Sequence, residues 1–171
     1  EICNEPNGKA VTWDTIADYS NRIIPVIRKN DSHSVIIIGT PQWCQELDKV
    51  DPRKLKDTGN VMYAFHFYAA THQGLLPMFE EQIHRIPVFT TEWGVCESNG
   101  NGKLDENTSV EYLKAMKKHI YKADTVTVSW CLFSFGDKNE TSSVLKPNSC
   151  KAKQWENMTP TGEFIIRWFK P

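Results

Sequence analysis

The sequence predicts an α/β fold: a parallel sheet covered by helices, organised as part of a (β/α)-barrel. Strand-like apolar runs alternate with segments of helical period. Those runs are continuously apolar, as expected of strands buried on both faces. The third observation is length. An eight-unit barrel takes ~250 residues at about 30 per unit, so 171 residues hold between five and six units. The chain reads as one domain, residues 1–171, forming the back part of such a barrel.

The first element is a stub of strand ending at Asn4 and Glu5. "TWDTIADYSNRIIPVIRKND" follows, with Ile16, Tyr19, Ile23, Ile24, Val26 and Ile27 at roughly helical spacing. Thr12 or Asp14 caps it, and Pro25 is expected to kink or break it. "SVIIIGT" is a buried strand stopped by Gly39, and "NVMYAFHFY" a second over residues 60–68. A helix is expected over 75–84 and a short strand from Val88 to about Glu92. "DENTSVEYLKAMKKHIYKA" is the clearest helix, capped by Asp105 or Asn107, with basic residues at its C-terminal end. "TVTVSWCLFS" is another strand, and a long polar loop covers 135–157. A closing helix begins at Pro160 or Thr161, which suits a first-turn proline. With the initial stub, the count is five strands, each followed by a helix or a helix-sized gap.

Composition narrows the function classes. A net charge of −1 does not favour a polyanionic partner such as nucleic acid. No apolar run approaches the roughly 18 residues of a membrane helix, so no membrane partner is expected. Neither GxGxxG nor GxxxxGK[ST] occurs, so a nucleotide-binding sheet has no support and no cofactor is expected. The five cysteines, Cys3, Cys44, Cys96, Cys131 and Cys150, lack zinc-ligand spacing. One or two disulfides fit an extracellular setting, with no connectivity legible. Sequons at Asn30, Asn107, Asn139 and Asn157 give weak support to secretion.

In (β/α)-barrels the reacting groups stand at the C-terminal ends of strands. Those ends supply Asn4 and Glu5; Thr40 and, just beyond, Trp43; His66 and Tyr68; Glu92 and Trp93; and Trp130. The polar loop adds Asp137, Lys138 and Glu140. Each has an ordinary structural reading: a strand-end surface carboxylate, a satisfied core histidine, a core tryptophan, a solvated ion pair. Independent structural reasons would scatter such residues rather than gather them on one rim. Two facing carboxylates suit glycoside hydrolysis, one as acid then base and the other as nucleophile or activator of water. Indole faces stack on the C–H face of a pyranose, and amide, imidazole, lysine and carboxylate groups suit hydroxyls. Metal-assisted hydrolysis is poorly supported, because only His66 stands near the carboxylates.

"EICNEPNG", "AFHFYAATH", "TEWG" and "SWCLFSFGDKNETSSVLKP" together resemble motifs of glycoside hydrolase family 5, the retaining β-glycanases of the (β/α)8 barrel. The last motif resembles the endo-β-1,4-glucanase subfamily 2. The resemblance covers the family's fourth strand to its eighth. It implies Glu5 as acid/base, Glu92 as nucleophile and Asn4 as ligand of the sugar 2-hydroxyl. It places His66 in the catalytic centre and Tyr68 beside the nucleophile. Trp130, Lys138 and Glu140 would bind on the glycone side, and Trp43 on the aglycone side. The implied ligand is a β-1,4-glucan or cello-oligosaccharide, with no metal.

The resemblance lacks the family's first three strands and half of the cleft. It implies that the chain opens on the tail of a barrel strand, with two open sheet edges. Self-association, a separate N-terminal half and a trimmed longer chain each account for this. Two functions stay open: an endo-β-1,4-glucanase, or a carbohydrate-binding fragment without turnover. A mannan- or xylan-active relative is a third, disfavoured by the "DKNETS" loop. A glycan on Asn139 would obstruct that loop, so this sequon is expected to be unoccupied.

Overall fold

A computed structural model describes residues 1–120 and 128–169. Among the described residues, four strands form one sheet: β1 (Ile36–Ile38), β2 (Val61–Tyr68), β3 (Val88–Gly94) and β4 (Ser129–Leu132). Their order in the sheet is their order in the chain. β1 and β2 are parallel, with Ile36 opposite Val61 and Ile38 opposite Tyr63. The α-helices are α1 (Trp13–Asn30), α2 (Leu76–Gln82), α3 (Glu106–Ile120), α4 (Ser149–Ala152) and α5 (Pro160–Phe169). A turn at Pro41–Cys44 is not a right-handed helix, since Gln42, Trp43 and Cys44 have φ of 51°, 56° and 60°. Sequence-adjacent parallel strands joined through helices are the repeating unit of a barrel wall.

The chain forms two compact units. The first comprises Glu1–His66, Leu75–Thr91 and Met116–Trp130; the second comprises Phe67–Gly74, Glu92–Ala115 and Cys131–Pro171.

In the first unit, α1 begins at a capping box: the Thr12 hydroxyl accepts from the Thr15 N–H, and the Thr15 hydroxyl accepts from the Thr12 N–H. Such a cap stabilises a helix by about 1 kcal/mol. The helix buries Trp13, Ile16, Ala17, Ser20 and Ile24. Trp13 meets Tyr63 edge-on at 5.6 Å, and its indole N–H donates to the Asp51 carbonyl. The expected break at Pro25 does not occur: α1 runs through it to Asn30. Pro25 is exposed, so its ring faces water, while Ile24 beside it is anchored in the core. β2 is buried at every position except Met62, which explains its unbroken apolar sequence.

The expected first strand is absent. Residues 1–4 make a single backbone hydrogen bond to β1, from Ile2 N–H to the Ile37 carbonyl. One bond does not make a ladder, and the chain turns at Glu5, whose φ is 46°. Gly39 permits this approach. A Cβ there would lie 2.1 Å from the Cys3 carbonyl oxygen and 2.8 Å from Pro6 Cδ.

In the second unit, Asp105 caps α3 by accepting from the Thr108 N–H and hydroxyl. Burial acts to raise the Asp105 carboxyl, and the hydrogen bonds from Thr108 outweigh it, leaving it below the usual range. The core stacks Phe67 on Tyr112 at 3.8 Å and on Trp93 at 5.5 Å. Arg167 on α5 donates from the single nitrogen Nη2 to both oxygens of Glu106. The loop over residues 135–157 is more ordered than its polarity suggests: it contains α4, and Leu145 pairs with Met158. The expected tail of the third helix and the start of the "TVTVSWCLFS" strand fall partly on 121–127, outside the described residues. All five cysteines are free thiols.

Candidate active site

Each compact unit holds one candidate carboxylate with a partner from β2. In the first unit, Glu5 stands in the turn that follows the Ile2–Ile37 bond, its side chain 31% exposed. Its Oε1 lies 3.0 Å from His66 Nδ1. His66 is buried, and its Nε2 lies 2.8 Å from the Thr91 hydroxyl. A carboxylate accepts only from a protonated nitrogen, so the network assigns the hydrogen to Nδ1. The Thr91 hydroxyl is the hydrogen-bonding partner of Nε2. The imidazole is thereby held by groups at both nitrogens.

Trp43 is 46% exposed at the tip of the left-handed turn. Left-handed backbone costs a residue with a side chain about 1–2 kcal/mol, and three such residues in succession need external support. The Trp43 N–H donates to the Pro6 carbonyl, and the Cys44 N–H to the Thr40 carbonyl. The turn is thus tied to the residue after Glu5. Burial pushes the Cys44 thiol up to about 12, so it stays neutral. Glu1, Cys44 and His66 bring potential metal-ligand atoms within 4.8 Å of one another. A neutral thiol and an imidazole engaged at both nitrogens make this a poor metal site. Asn4 is exposed, and Trp130 is half-buried in β4.

In the second unit, the Tyr68 hydroxyl donates to Glu92 Oε1 at 2.8 Å. Tyr68 ends β2, and its spacing of two from His66 puts both on one face of the strand. Glu92 is half-buried within β3, followed by the fully buried Trp93. Gly94 lets the Tyr68 ring lie against β3: a Cβ there would be 2.6 and 2.7 Å from two ring carbons. Phe133 meets the same ring edge-on at 6.4 Å. Lys138 and Glu140 border a cavity of about 520 Å³ with Asn101, Asn139 and Thr141. Asp137 is committed to the loop itself, accepting from the Cys150 N–H at 2.9 Å.

The structure therefore brings Glu5 to His66 and Tyr68 to Glu92 by direct hydrogen bonds. Asn4, Trp43, Lys138 and Glu140 make no side-chain hydrogen bond among the described residues. Sequence reasoning assigned no role at the site to Thr91, Gly39 or Gly94. Thr91 was hidden as an ordinary strand residue, although its place directly before Glu92 was a signal.

The sequence matches the profile of the cellulases of glycosyl hydrolase family 5 over residues 1–139. The chain belongs to glycosyl hydrolase family 5. Endoglucanase A of Evansella cellulosilytica is 36% identical to this family member over 170 residues, covering 96% of the chain and 33% of that protein. An endoglucanase of Clostridium saccharobutylicum is also 36% identical, over 96% of the chain and 36% of its own length. Among solved structures, the cellulase Cel5C_n superposes with a TM-score of 0.87 at 35% identity, over 99% of this chain and 51% of its own. The catalytic domain of Thermobifida fusca endoglucanase Cel5A, in complex with cellotetraose, gives a TM-score of 0.84 at 30% identity, over 98% of this chain and 55% of its own. The chain thus spans about a third of these curated endoglucanases and about half of these solved cellulases. Its fold is a partial (β/α)8 barrel.

Proposed function

We propose that this family 5 member is a retaining endo-β-1,4-glucanase, or the part of one that bears both reacting carboxylates. It hydrolyses cellulose and related β-glucans by double displacement. The observation that carries this reading is the 2.8 Å hydrogen bond from Tyr68 to Glu92. A nucleophilic carboxylate must be ionised and aimed. A phenol donating to one oxygen fixes the direction of the carboxylate and leaves the other oxygen to attack.

In the first step Glu92 attacks the anomeric carbon while Glu5 gives its proton to the departing glycosidic oxygen. A glycosyl ester on Glu92 results. In the second step water attacks the same carbon, Glu5 takes the water's proton, and Glu92 leaves as carboxylate. His66, held at both nitrogens, orients Glu5 through the 3.0 Å contact. Asn4 binds the sugar 2-hydroxyl. Trp43, exposed on its braced turn, is a platform on the aglycone side, and Trp130 one on the glycone side. Lys138 and Glu140 bind glycone hydroxyls from the rim of their cavity.

The polymeric substrate and the sequons support an extracellular location. The share of the relatives that the chain spans supports one further element: the opposite wall of the cleft comes from a second copy or from an N-terminal half outside this sequence. Native mass measured by light scattering separates these, since only the first gives a multimer of this chain alone.

The second reading, glucan binding without turnover, is favoured by the exposed Trp43, whose ring could take up a sugar whether or not turnover follows. Reducing-sugar release from carboxymethyl cellulose separates the two. The glucanase reading expects release by the wild type and its loss in Glu92→Gln. Equal inactivity of both, with cello-oligosaccharide binding retained, supports the binding reading.

A further inference from the structure

We infer that His72 is a positioning residue for the Tyr68–Glu92 pair, holding Tyr68 in the space that Gly94 leaves for its ring. The inference rests on the reading of Glu92 as nucleophile. His72 lies in the turn after β2, and its Nδ1 accepts the Tyr68 backbone N–H at 2.9 Å. An imidazole accepts only at an unprotonated nitrogen, so His72 carries its hydrogen on Nε2. The ring also meets the Tyr68 ring edge-on, with centroids 6.5 Å apart. One side chain therefore holds both the backbone and the ring of Tyr68.

His72 is itself held. Its N–H donates to the Tyr68 carbonyl at 2.8 Å, closing the turn. Its carbonyl accepts from the Tyr112 hydroxyl at 2.7 Å. Tyr112 is fully buried on α3 and stacked on Phe67, the residue before Tyr68. The path from the core to the reacting group is short: α3 fixes Tyr112, Tyr112 fixes the His72 backbone, and the His72 ring fixes Tyr68. Gly94 gives the ring space that no other residue allows, since a Cβ would overlap two of its carbons. A phenol held this way keeps its hydroxyl at one point, where Glu92 meets it. Hydrogen-bond geometry is steep in angle and distance, so a small swing of Tyr68 weakens that contact.

The test uses His72→Phe, which removes the acceptor, and His72→Asn, whose amide oxygen restores one near the Nδ1 position. The first readout is nuclear magnetic resonance of the Tyr68 ring, with and without Glu92→Gln. In the wild type, replacing Glu92 by Gln shifts the Tyr68 resonances, because it changes what the hydroxyl donates to. That response is expected to be lost in His72→Phe and in Gly94→Ala, and kept in His72→Asn. This arm needs no turnover, so it stands if the glucanase reading fails. The second readout is kinetic, on a chromogenic cello-oligoside. His72→Phe is expected to lower kcat about tenfold with little change in KM, the pattern of an interaction made in the transition state. His72→Asn is expected to recover most of that loss. Adding His72→Phe to Tyr68→Phe is expected to cost little more than Tyr68→Phe alone, since both act through one contact. A wild-type response of Tyr68 to Glu92→Gln in folded His72→Phe would overturn the inference, as would additive losses in the double variant.

Discussion

His66 Nε2 stands 2.8 Å from the hydroxyl of Thr91, the residue that immediately precedes Glu92 in β3. The imidazole is 2% exposed, so a nitrogen without a partner there has no water to turn to. Thr91→Val keeps the shape and removes the hydroxyl. Leaving a buried polar group unsatisfied costs about 1–3 kcal/mol. Urea unfolding is expected to show a loss of that size, with Thr91→Ser close to wild type. An unchanged midpoint in Thr91→Val would mean that the hydroxyl does not serve His66.

Gly39 controls where Glu5 lies. Its added Cβ would stand 2.1 Å from the Cys3 carbonyl oxygen, closer than any real contact, and neither backbone can yield without moving residues 3–6. Gly39→Ala is expected to destabilise the protein by about 1–3 kcal/mol, as other forced overpacking does. It should also reduce β-glucan hydrolysis beyond what that instability explains, because Glu5 moves away from His66. Assays well below the unfolding temperature separate the two effects.

Thiol reactivity follows burial. Burial pushes the Cys44 thiol up to about 12 and the Cys96 thiol up to about 11, and both are shielded from solvent. Cys131 is exposed. The thiolate is the reactive form, so limited iodoacetamide treatment near pH 8 is expected to label Cys131 well before Cys44 or Cys96. Peptide mass mapping reads the order directly.

Asp31 makes an identifiable contribution to acid sensitivity. The Asp31 carboxylate accepts from the Ser34 hydroxyl, the Ser34 N–H and the His33 N–H, which bring it down to about 2. An unfolded chain binds that proton at about 3.9. The native state thus favours the ionised form, so the contribution is complete above about pH 4 and fades as the pH falls toward 2. The stability difference between wild type and Asp31→Asn should be widest at neutral pH and narrow over that acid range. Chemical unfolding at pH 7, 4 and 2.5 measures it.

Much of this was legible in the chain. β2 announced itself because both faces are buried, which selects an unbroken apolar run. The capping threonine of α1 and the acidic cap of α3 were also readable, because a cap is a local feature. The stub at residues 1–4 was not: whether an extended segment joins a ladder depends on partners more than thirty residues away. Pro25 misled because its effect depends on which side of the helix meets water. His66, Tyr68 and Glu92 could be named from their places in strands near their ends, and Glu5 from the strand expected before it. The resemblance also set Tyr68 beside Glu92, but the partners of His66 could not be paired, since His66 and Thr91 are 25 positions apart and meet only through the fold.

The most direct test of the central claim is covalent trapping. A 2-deoxy-2-fluoro cellobioside with a good leaving group forms the glycosyl ester with a retaining glycosidase and slows its release. Peptide mass spectrometry after incubation is expected to find one added fluoroglycosyl group, on the peptide bearing Glu92, and none in Glu92→Gln. An adduct on another residue, or hydrolysis of the inhibitor with inversion and no adduct, would contradict the account.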